Sequence, residues 1–329
     1  MKKFLKKYLL IIIIAIVINL PIIVIGAWRT DKTVTLKGDT TLVEDFVEIE
    51  GAHQQKGTLS TIYVISMDHS TILQNLMVKL SKTSELSDLP ESYLHLTDSE
   101  LSLMGRIQHS SSITYALIHS YNEAHIVDPS ITISYQLVSF KIEFYRAGSE
   151  FRIGDDIIGI NDYTIKENLN QFIEAFNAAK EGDIYQVKRG NEILNIAYSS
   201  LNRPYGYAIY DIDSSKTSPK FTIKATNVGG PSGGLLQTLA LYNALIEEDI
   251  TKGLKIAGTG TIEPDGTVGP IGGIQQKIYT AFDDKMDVFL CPAENYEEAL
   301  IAYNKLPNKK MKLIRVATFK EALEELKNA

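Results

Sequence analysis

A single cysteine, Cys291, stands in 329 residues, so neither a disulfide framework nor a cysteine-based zinc site can be built. Stability has to come from packing. No histidine follows His125, which removes the base of a Ser-His-Asp triad from the C-terminal half. There is no GxxxxGK[ST] segment, nor any Gly-Lys pair, so the P-loop phosphate cradle is absent. Low-complexity runs are missing too: with 44% hydrophobic and 22% charged residues, the composition is that of a chain that folds and buries a core. At about 150 residues per domain, the length suggests two folded units plus something further. Acidic residues outnumber basic ones beyond the first residues. The net charge is -7 and Lys2, Lys3, Lys6 and Lys7 contribute +4 of it, leaving -11 on the remainder. Such a body offers no phosphate-neutralising surface, which argues against nucleic acid as a partner.

What is present begins with a hydrophobic run. Tyr8 to Trp28 reads YLLIIIIAIVINLPIIVIGAW, 21 residues without a charge, which as a helix measures about 30 Å, the thickness of bilayer hydrocarbon. The run predicts a transmembrane helix over 8–28 behind a cytoplasmic tail, 1–7. Asn19 and Pro21 interrupt it, as a membrane helix tolerates where the backbone is re-satisfied locally. Four lysines precede the run, whereas Arg29 and Lys32 after it are partly offset by Asp31. By the positive-inside rule the N-terminus stays in the cytoplasm and everything from Arg29 onward lies outside the cell membrane. A cleaved signal peptide is the competing reading. Gly26 and Ala27 suit a cleavage site, but Ile25 fits it poorly and the run exceeds a usual signal core.

The stretch 29–127 predicts a mixed α/β segment packing on the later parts, with a strand over Leu59 to Met67 and a helix over Asp98 to Tyr121. All six histidines fall here: His53, His69, His95, His109, His119 and His125. None pair as HExxH, and they read as surface or core residues rather than metal ligands. From 128 to 201 the pattern changes. Phe151 to Ile160 (FRIGDDIIGI) leads to a turn at Asn161 and Asp162, and Leu169, Phe172, Ile173 and Phe176 mark one face of a helix. Asp183 to Lys188 and Glu192 to Tyr198 then form a hairpin about Arg189, Gly190 and Asn191. This stretch resembles a PDZ domain, and the resemblance implies capture of extended peptide ends by strand addition. Around Tyr135 to Phe144 (YQLVSFKIEF) no glycine-bearing carboxylate loop occurs, which leaves a merely structural role open.

Chemistry is concentrated further on. An apolar-alternating strand from Thr222 feeds the cluster Gly229, Gly230, Pro231, Ser232, Gly233, Gly234, and a helix follows with Leu235, Leu236, Leu239 and Tyr242 toward a core. Ser232 then lies at a helix N-terminus, where exposed backbone N–H groups and the positive end of the dipole suit an oxyanion formed when a serine attacks a carbonyl. A glycine-rich turn with a serine cap, or a phosphate loop, is the plainer alternative. A second element follows an expected hairpin over Leu254 to Ile262 with its Glu263-Pro264-Asp265-Gly266 turn. Gly272 and Gly273 open a helix on which Ile274, Lys277, Ile278 and Ala281 share a face, with Gln275 and Gln276 on the outer side. A lysine buried among alkyl groups loses charge and becomes a usable base near neutral pH. A snorkelling lysine would instead keep its head in water.

Together, GGPSGG and GTVGPIGGIQQK resemble the two signature motifs of the Lon-type serine proteases, over 202–329. With the anchor and the PDZ-like stretch, the chain resembles the membrane-anchored, PDZ-containing Lon-like proteases of bacteria. The resemblance implies an α/β (α+β) proteolytic domain in which Ser232 is the nucleophile, Lys277 the base, and Thr259 a neighbour that can hydrogen-bond the lysine. The backbone of Gly230, Pro231 and Gly233 would form the oxyanion loop. The sequence departs at Gly233, where many members carry alanine and where glycine should loosen the helix start, and at Thr261, which replaces an acidic residue common in ATP-driven members. Neither removes a reacting group. Without a P-loop no ATP is expected, and no cofactor is implied. The implied partners are peptides or unfolded protein segments. The final helix, with Phe319, Ala322, Leu323 and Leu326 at helical spacing, reads as core or as a contact in a homo-oligomer. Two rival functions stay open: a non-catalytic membrane scaffold, and a serine esterase or amidase.

Overall fold

The computed structural model describes residues 2–329, with the side chains of 2–7 and 10 outside the description. In chain order the first elements are α1 (Lys2–Ala27), β1 (Lys32–Leu42), β2 (Val47–Ile49), β3 (Thr58–Met67), α2 (Ile72–Val78) and β4 (Glu85–Asp88). The chain divides into two compact units, one formed by 1–37 and 64–94 and the other by 38–63 and 95–329. The segment expected as one body over 29–127 is thus shared between them, with β1 and β3 each starting in one unit and ending in the other.

In the smaller unit, α1 is a 26-residue helix that passes through Pro21. Asn19 Nδ2 donates to the Ala15 carbonyl at 2.8 Å, one turn back, a use of the helix backbone open to a short polar side chain. Asn19 apart, its side chains from Ile11 to Val24 are apolar and mostly exposed. The expected span over 8–28 includes Leu10, whose side chain lies outside the description, and among the described residues no helix is long and apolar enough to cross a membrane. Further on, Thr71 and Gln74 close a reciprocal capping box on α2. β1 pairs antiparallel with β4 from Lys32 opposite Asp88 to Thr35 opposite Glu85.

The larger unit continues with α3 (Asp98–Val127), β5 (Tyr135–Phe144), β6 (Asp156–Ile160), β7 (Tyr163–Thr164), α4 (Leu169–Asn177), β8 (Ile184–Arg189), β9 (Glu192–Ala197), β10 (Tyr205–Ile212) and β11 (Phe221–Ile223). α5 (Gly234–Leu245), β12 (Lys255–Gly258), α6 (Ile274–Asp283), β13 (Val288–Pro292), α7 (Tyr296–Tyr303), β14 (Lys312–Val316) and α8 (Phe319–Lys327) complete it. One sheet runs β14-β13-β12 and on to the first half of β3, all parallel: Ile256 lies opposite both Leu59 and Val288, and Val288 opposite Lys312. Every residue of β13 is buried, as a parallel strand covered on both faces requires. The hairpin expected over Leu254 to Ile262 is therefore not formed. β12 is a short central parallel strand, and the Pro264-Asp265-Gly266 turn closes on itself through Thr261 N–H to the Gly269 carbonyl and Glu263 N–H to the Thr267 carbonyl.

α3 runs six residues beyond its expected end at Tyr121, from a Thr97/Glu100 capping box to Val127. Its Ile113, Leu117 and Tyr121 share a core with Leu235, Leu239 and Tyr242 of α5 and with Phe319, Ala322 and Leu326 of α8. The apolar stripe of α8 is core packing.

A second sheet has the order β10-β5-β6-β8-β9, with β7 on β6. Its separate core joins Ile142, Ile157, Ile160, Phe172, Tyr185 and Val187. The β8–β9 hairpin has the expected register, Arg189 opposite Glu192. β10 pairs along β5 from Tyr205 opposite Phe144 to Ile212 opposite Tyr135, so this sheet extends past the expected boundary at 201. The expected apolar face of α4 is only partly used: Phe172 is buried, but Ile173 is 40% exposed.

Candidate active site

Two helices with glycine-rich approaches meet at the site. The first is α5. Its strand does not feed it directly, since β11 ends at Ile223 and an irregular stretch intervenes. In that stretch Gly230 takes φ +85°, a conformation that glycine adopts without steric cost. Ser232 follows, half-buried, two residues before α5 begins. Its carbonyl accepts from the Gly260 amide at 2.8 Å and from the Thr259 hydroxyl at 2.9 Å. Two donors on one carbonyl fix the peptide plane and with it the direction of the Ser232 side chain.

The second is α6, which starts at Gly273 in a left-handed conformation, φ +69°. Ile274, Ile278 and Ala281 of this helix join Ile62, Ala257 and Phe289 in an apolar cluster. Lys277 lies on the same buried face and is 1% exposed, so it does not snorkel. Its Nζ stands 2.8 Å from Ser232 Oγ and 3.0 Å from Thr259 Oγ1. Burial pushes the amine down from its ordinary range to about 7, because a low-dielectric site penalises the charged form. Among the described residues no carboxylate is a hydrogen-bond partner that would restore the charge. Gln276, expected on the outer side of α6, is buried as well.

The chemistry follows from the donors and acceptors. A neutral amine can accept the Ser232 proton while one of its own N–H bonds points to Thr259 Oγ1, whose hydroxyl in turn donates to the Ser232 carbonyl. Ser232, Lys277 and Thr259, expected together, are brought together.

The oxyanion loop differs from expectation. The Gly230 N–H is spent on the Gly105 carbonyl of α3, at 2.8 Å, and Pro231 has no N–H to offer. Among the described residues the amides of Ser232 and Gly233 donate to no backbone or side-chain acceptor, and they are the pair able to meet a developing oxyanion. Gly230 and Pro231 shape the loop without donating.

Sequence reasoning missed the part that α3 plays at the site. Ser112 Oγ donates to the Pro231 carbonyl at 3.2 Å, and His109 is buried beside the loop. Both help line the site although they precede Ser232 by more than a hundred residues. The available signal was the spacing of Gly105, His109 and Ser112, which puts all three on one helix face. Cys291 is wholly buried, its thiol pushed up to about 12 by desolvation, and it takes no part.

A hydroxyl held against a neutralisable amine, with free amides beside it, is the equipment of a serine hydrolase. Comparison with known proteins narrows the class. Residues 215–329 match the family model of the Lon protease (S16) C-terminal proteolytic domain, and this part of the chain is a serine peptidase domain. The chain is 27% identical over 224 residues to Lon protease 2 of Borreliella burgdorferi, covering 64% of this chain and 27% of the relative. It is 35% identical over 100 residues to the Lon protease of Campylobacter jejuni, covering 30% and 12%. To the Lon protease of Metamycoplasma arthritidis it is 30% identical over 142 residues, covering 43% and 16%. The chain thus spans 12% to 27% of the length of these relatives.

Proposed function

We propose that the protein is a membrane-anchored serine endopeptidase that needs no ATP and cleaves exported peptides or flexible, partly unfolded protein segments outside the cytoplasmic membrane. The observation that carries the reading is the 2.8 Å approach of the buried Lys277 amine to Ser232 Oγ. Lys277 takes the Ser232 proton, the alkoxide attacks a peptide carbonyl, and the Ser232 and Gly233 amides hold the oxyanion. The protonated lysine then supplies the leaving amine with its proton, and water clears the acyl-enzyme.

The remaining parts of the reading have their own support. The lysine-led apolar helix α1 fits an anchor with its N-terminus in the cytoplasm. The sheet β10-β5-β6-β8-β9 with α4 fits a PDZ-like unit that presents extended peptide to the peptidase. The sequence contains no P-loop, which supports action on substrates that are already flexible.

The test uses the full chain in detergent or liposomes without nucleotide. Wild type is expected to cut an unfolded protein and fluorogenic peptides and to react with a fluorophosphonate probe, and Ser232→Ala to do neither. Cleavage by Ser232→Ala defeats the reading. Absence of any labelling identifies a scaffold, and ester turnover without peptide cleavage an esterase. Extraction of membranes with alkaline carbonate, and protease access from outside intact cells, test anchoring and orientation.

A further inference from the structure

We propose that His109 is a positioning residue for the serine loop, so that a helix outside the matched segment sets the alignment of the nucleophile. The inference rests on the peptidase reading above.

α3 presents Gly105, His109 and Ser112 along one face, at spacings of four and three residues. The flanking two of these hold the loop directly: Gly105 accepts from the Gly230 amide, and Ser112 shares its one hydroxyl proton between the Pro231 carbonyl and Gln237 Oε1, each at 3.2 Å. α3 and the loop meet backbone to backbone, since a Cβ on Gly105 would lie 3.6 Å from Gly229 Cα. His109 sits between these two holding points. It is 6% exposed, packs edge-on against Phe46 with ring centroids 5.5 Å apart, and lines a cavity of about 10 Å³ together with Thr61, Gly230, Ser232 and Gln237.

The ring is held neutral by burial, which lowers its basicity, while the Gly230 backbone polarises it in the opposite direction. On the ring, Nε2 is buried with no hydrogen-bond partner among the described residues. A buried polar nitrogen costs free energy unless it is paired, so an apolar side chain would suit this place better on stability grounds alone. The imidazole therefore serves the loop. It stands as a flat, neutral wedge with a polar edge toward Gly230, holding the peptide planes that lead into Ser232 so that the hydroxyl stays at Lys277. Alignment of this kind acts on turnover rather than on substrate affinity.

The experiment compares His109→Leu, which keeps the bulk and removes both nitrogens, with His109→Gln, which keeps one polar edge. Peptide cleavage and the rate of fluorophosphonate labelling are measured on the full chain. The leucine variant is expected to lose roughly 10- to 100-fold in kcat with KM within about twofold, and to label correspondingly more slowly. The glutamine variant should recover to within about threefold of wild type. If the leucine variant does not fold, His109→Phe replaces it with the same expectation. Unchanged kcat in the apolar variant overturns the proposal, as does a loss confined to KM, or a lower melting temperature with full turnover per folded molecule. Ser232→Ala run alongside separates the two levels: cleavage by that variant sinks the peptidase reading, whereas an inactive Ser232→Ala beside a fully active His109→Leu sinks only the role of His109.

Discussion

α6 and α3 each bring a buried basic side chain to the Ser232 loop, and the same physical cause has opposite uses in the two. Desolvation takes the Lys277 amine from far above neutrality down to about 7, where half of the molecules carry a usable base at the pH of most cells. The same effect on His109, which starts near neutrality, lowers it further and leaves a ring that stays uncharged. Burial makes a reacting group of the residue whose ordinary pKa is high and a structural one of the residue whose ordinary pKa is already low.

Removing the amine breaks this comparison most severely. Lys277→Met should lower kcat by at least about 10⁴-fold, the scale seen when a member of a nucleophile–base pair is lost. It should also raise the melting temperature at pH 7. The folded-state pKa of Lys277 lies below its unfolded value, so between about 7 and about 10.5 the unfolded chain binds the extra proton and stability rises with pH. The burial penalty is full below pH 7 and gone above about 10.5. The methionine variant should therefore gain up to a few kcal/mol at neutral pH, with the gain fading toward pH 10.5. Thermal unfolding at both pH values checks it, and a variant less stable than wild type at pH 7 contradicts the buried, neutral amine.

The pH dependence of wild-type turnover sharpens the contrast. The active form is the deprotonated amine, so kcat/KM should rise about tenfold per pH unit below about 7 and flatten above it. Burial lowers His109 from a starting value already below that of Lys277, so its own titration should lie on the acid side of the lysine's. A flat profile from pH 5.5 to 8.5 removes Lys277 from the mechanism.

Thr259→Val tests what holds the amine in place. It deletes the acceptor 3.0 Å from Nζ and the donor to the Ser232 carbonyl, worth together about 1 to 3 kcal/mol. Steady-state assays should show a loss of roughly 10- to 100-fold in kcat, with Thr259→Ser restoring most of it.

The site was legible in the sequence where local pattern and chemistry coincide. Ser232 follows a glycine cluster at the head of an apolar helix, and Lys277 interrupts an apolar stripe where a surface lysine would not stand. What could not be read depends on long-range placement. The turn after β12 makes it read locally as half of a hairpin, yet its partners are β3 and β13, one of them almost two hundred residues away. β10 lies beyond the boundary expected at 201 although it completes the sheet before it, since nothing local marks its pairing with β5. His109 carries no motif at all. Its neighbours on the serine loop lie about 120 residues further along the chain, and only the packing of α3 against α5 brings them together. Gln276 follows the same rule: its side of α6 looks outward by periodicity, but tertiary packing covers it.

The smallest expected effect concerns Gly233, where the resemblance suggested alanine and a loosened helix start. The structure gives a different reason for glycine. A Cβ at this position would lie 2.9 Å from Thr61 Oγ1 and 3.1 Å from Gln237 Nε2. The glutamine amide is the far end of a flexible side chain and can swing aside. Thr61 is buried in β3, where a β-branched side chain has little freedom to turn. Gly233→Ala should therefore destabilise by about 1 kcal/mol rather than tighten the helix, and slow cleavage a few-fold by nudging Ser232. Thr61→Ala, by clearing the hydroxyl, should make the same substitution neutral or mildly stabilising through the reduced freedom of the unfolded chain. Thermal unfolding of the two single variants and the double closes the cycle. An additive result would show that Thr61 does not dictate the glycine.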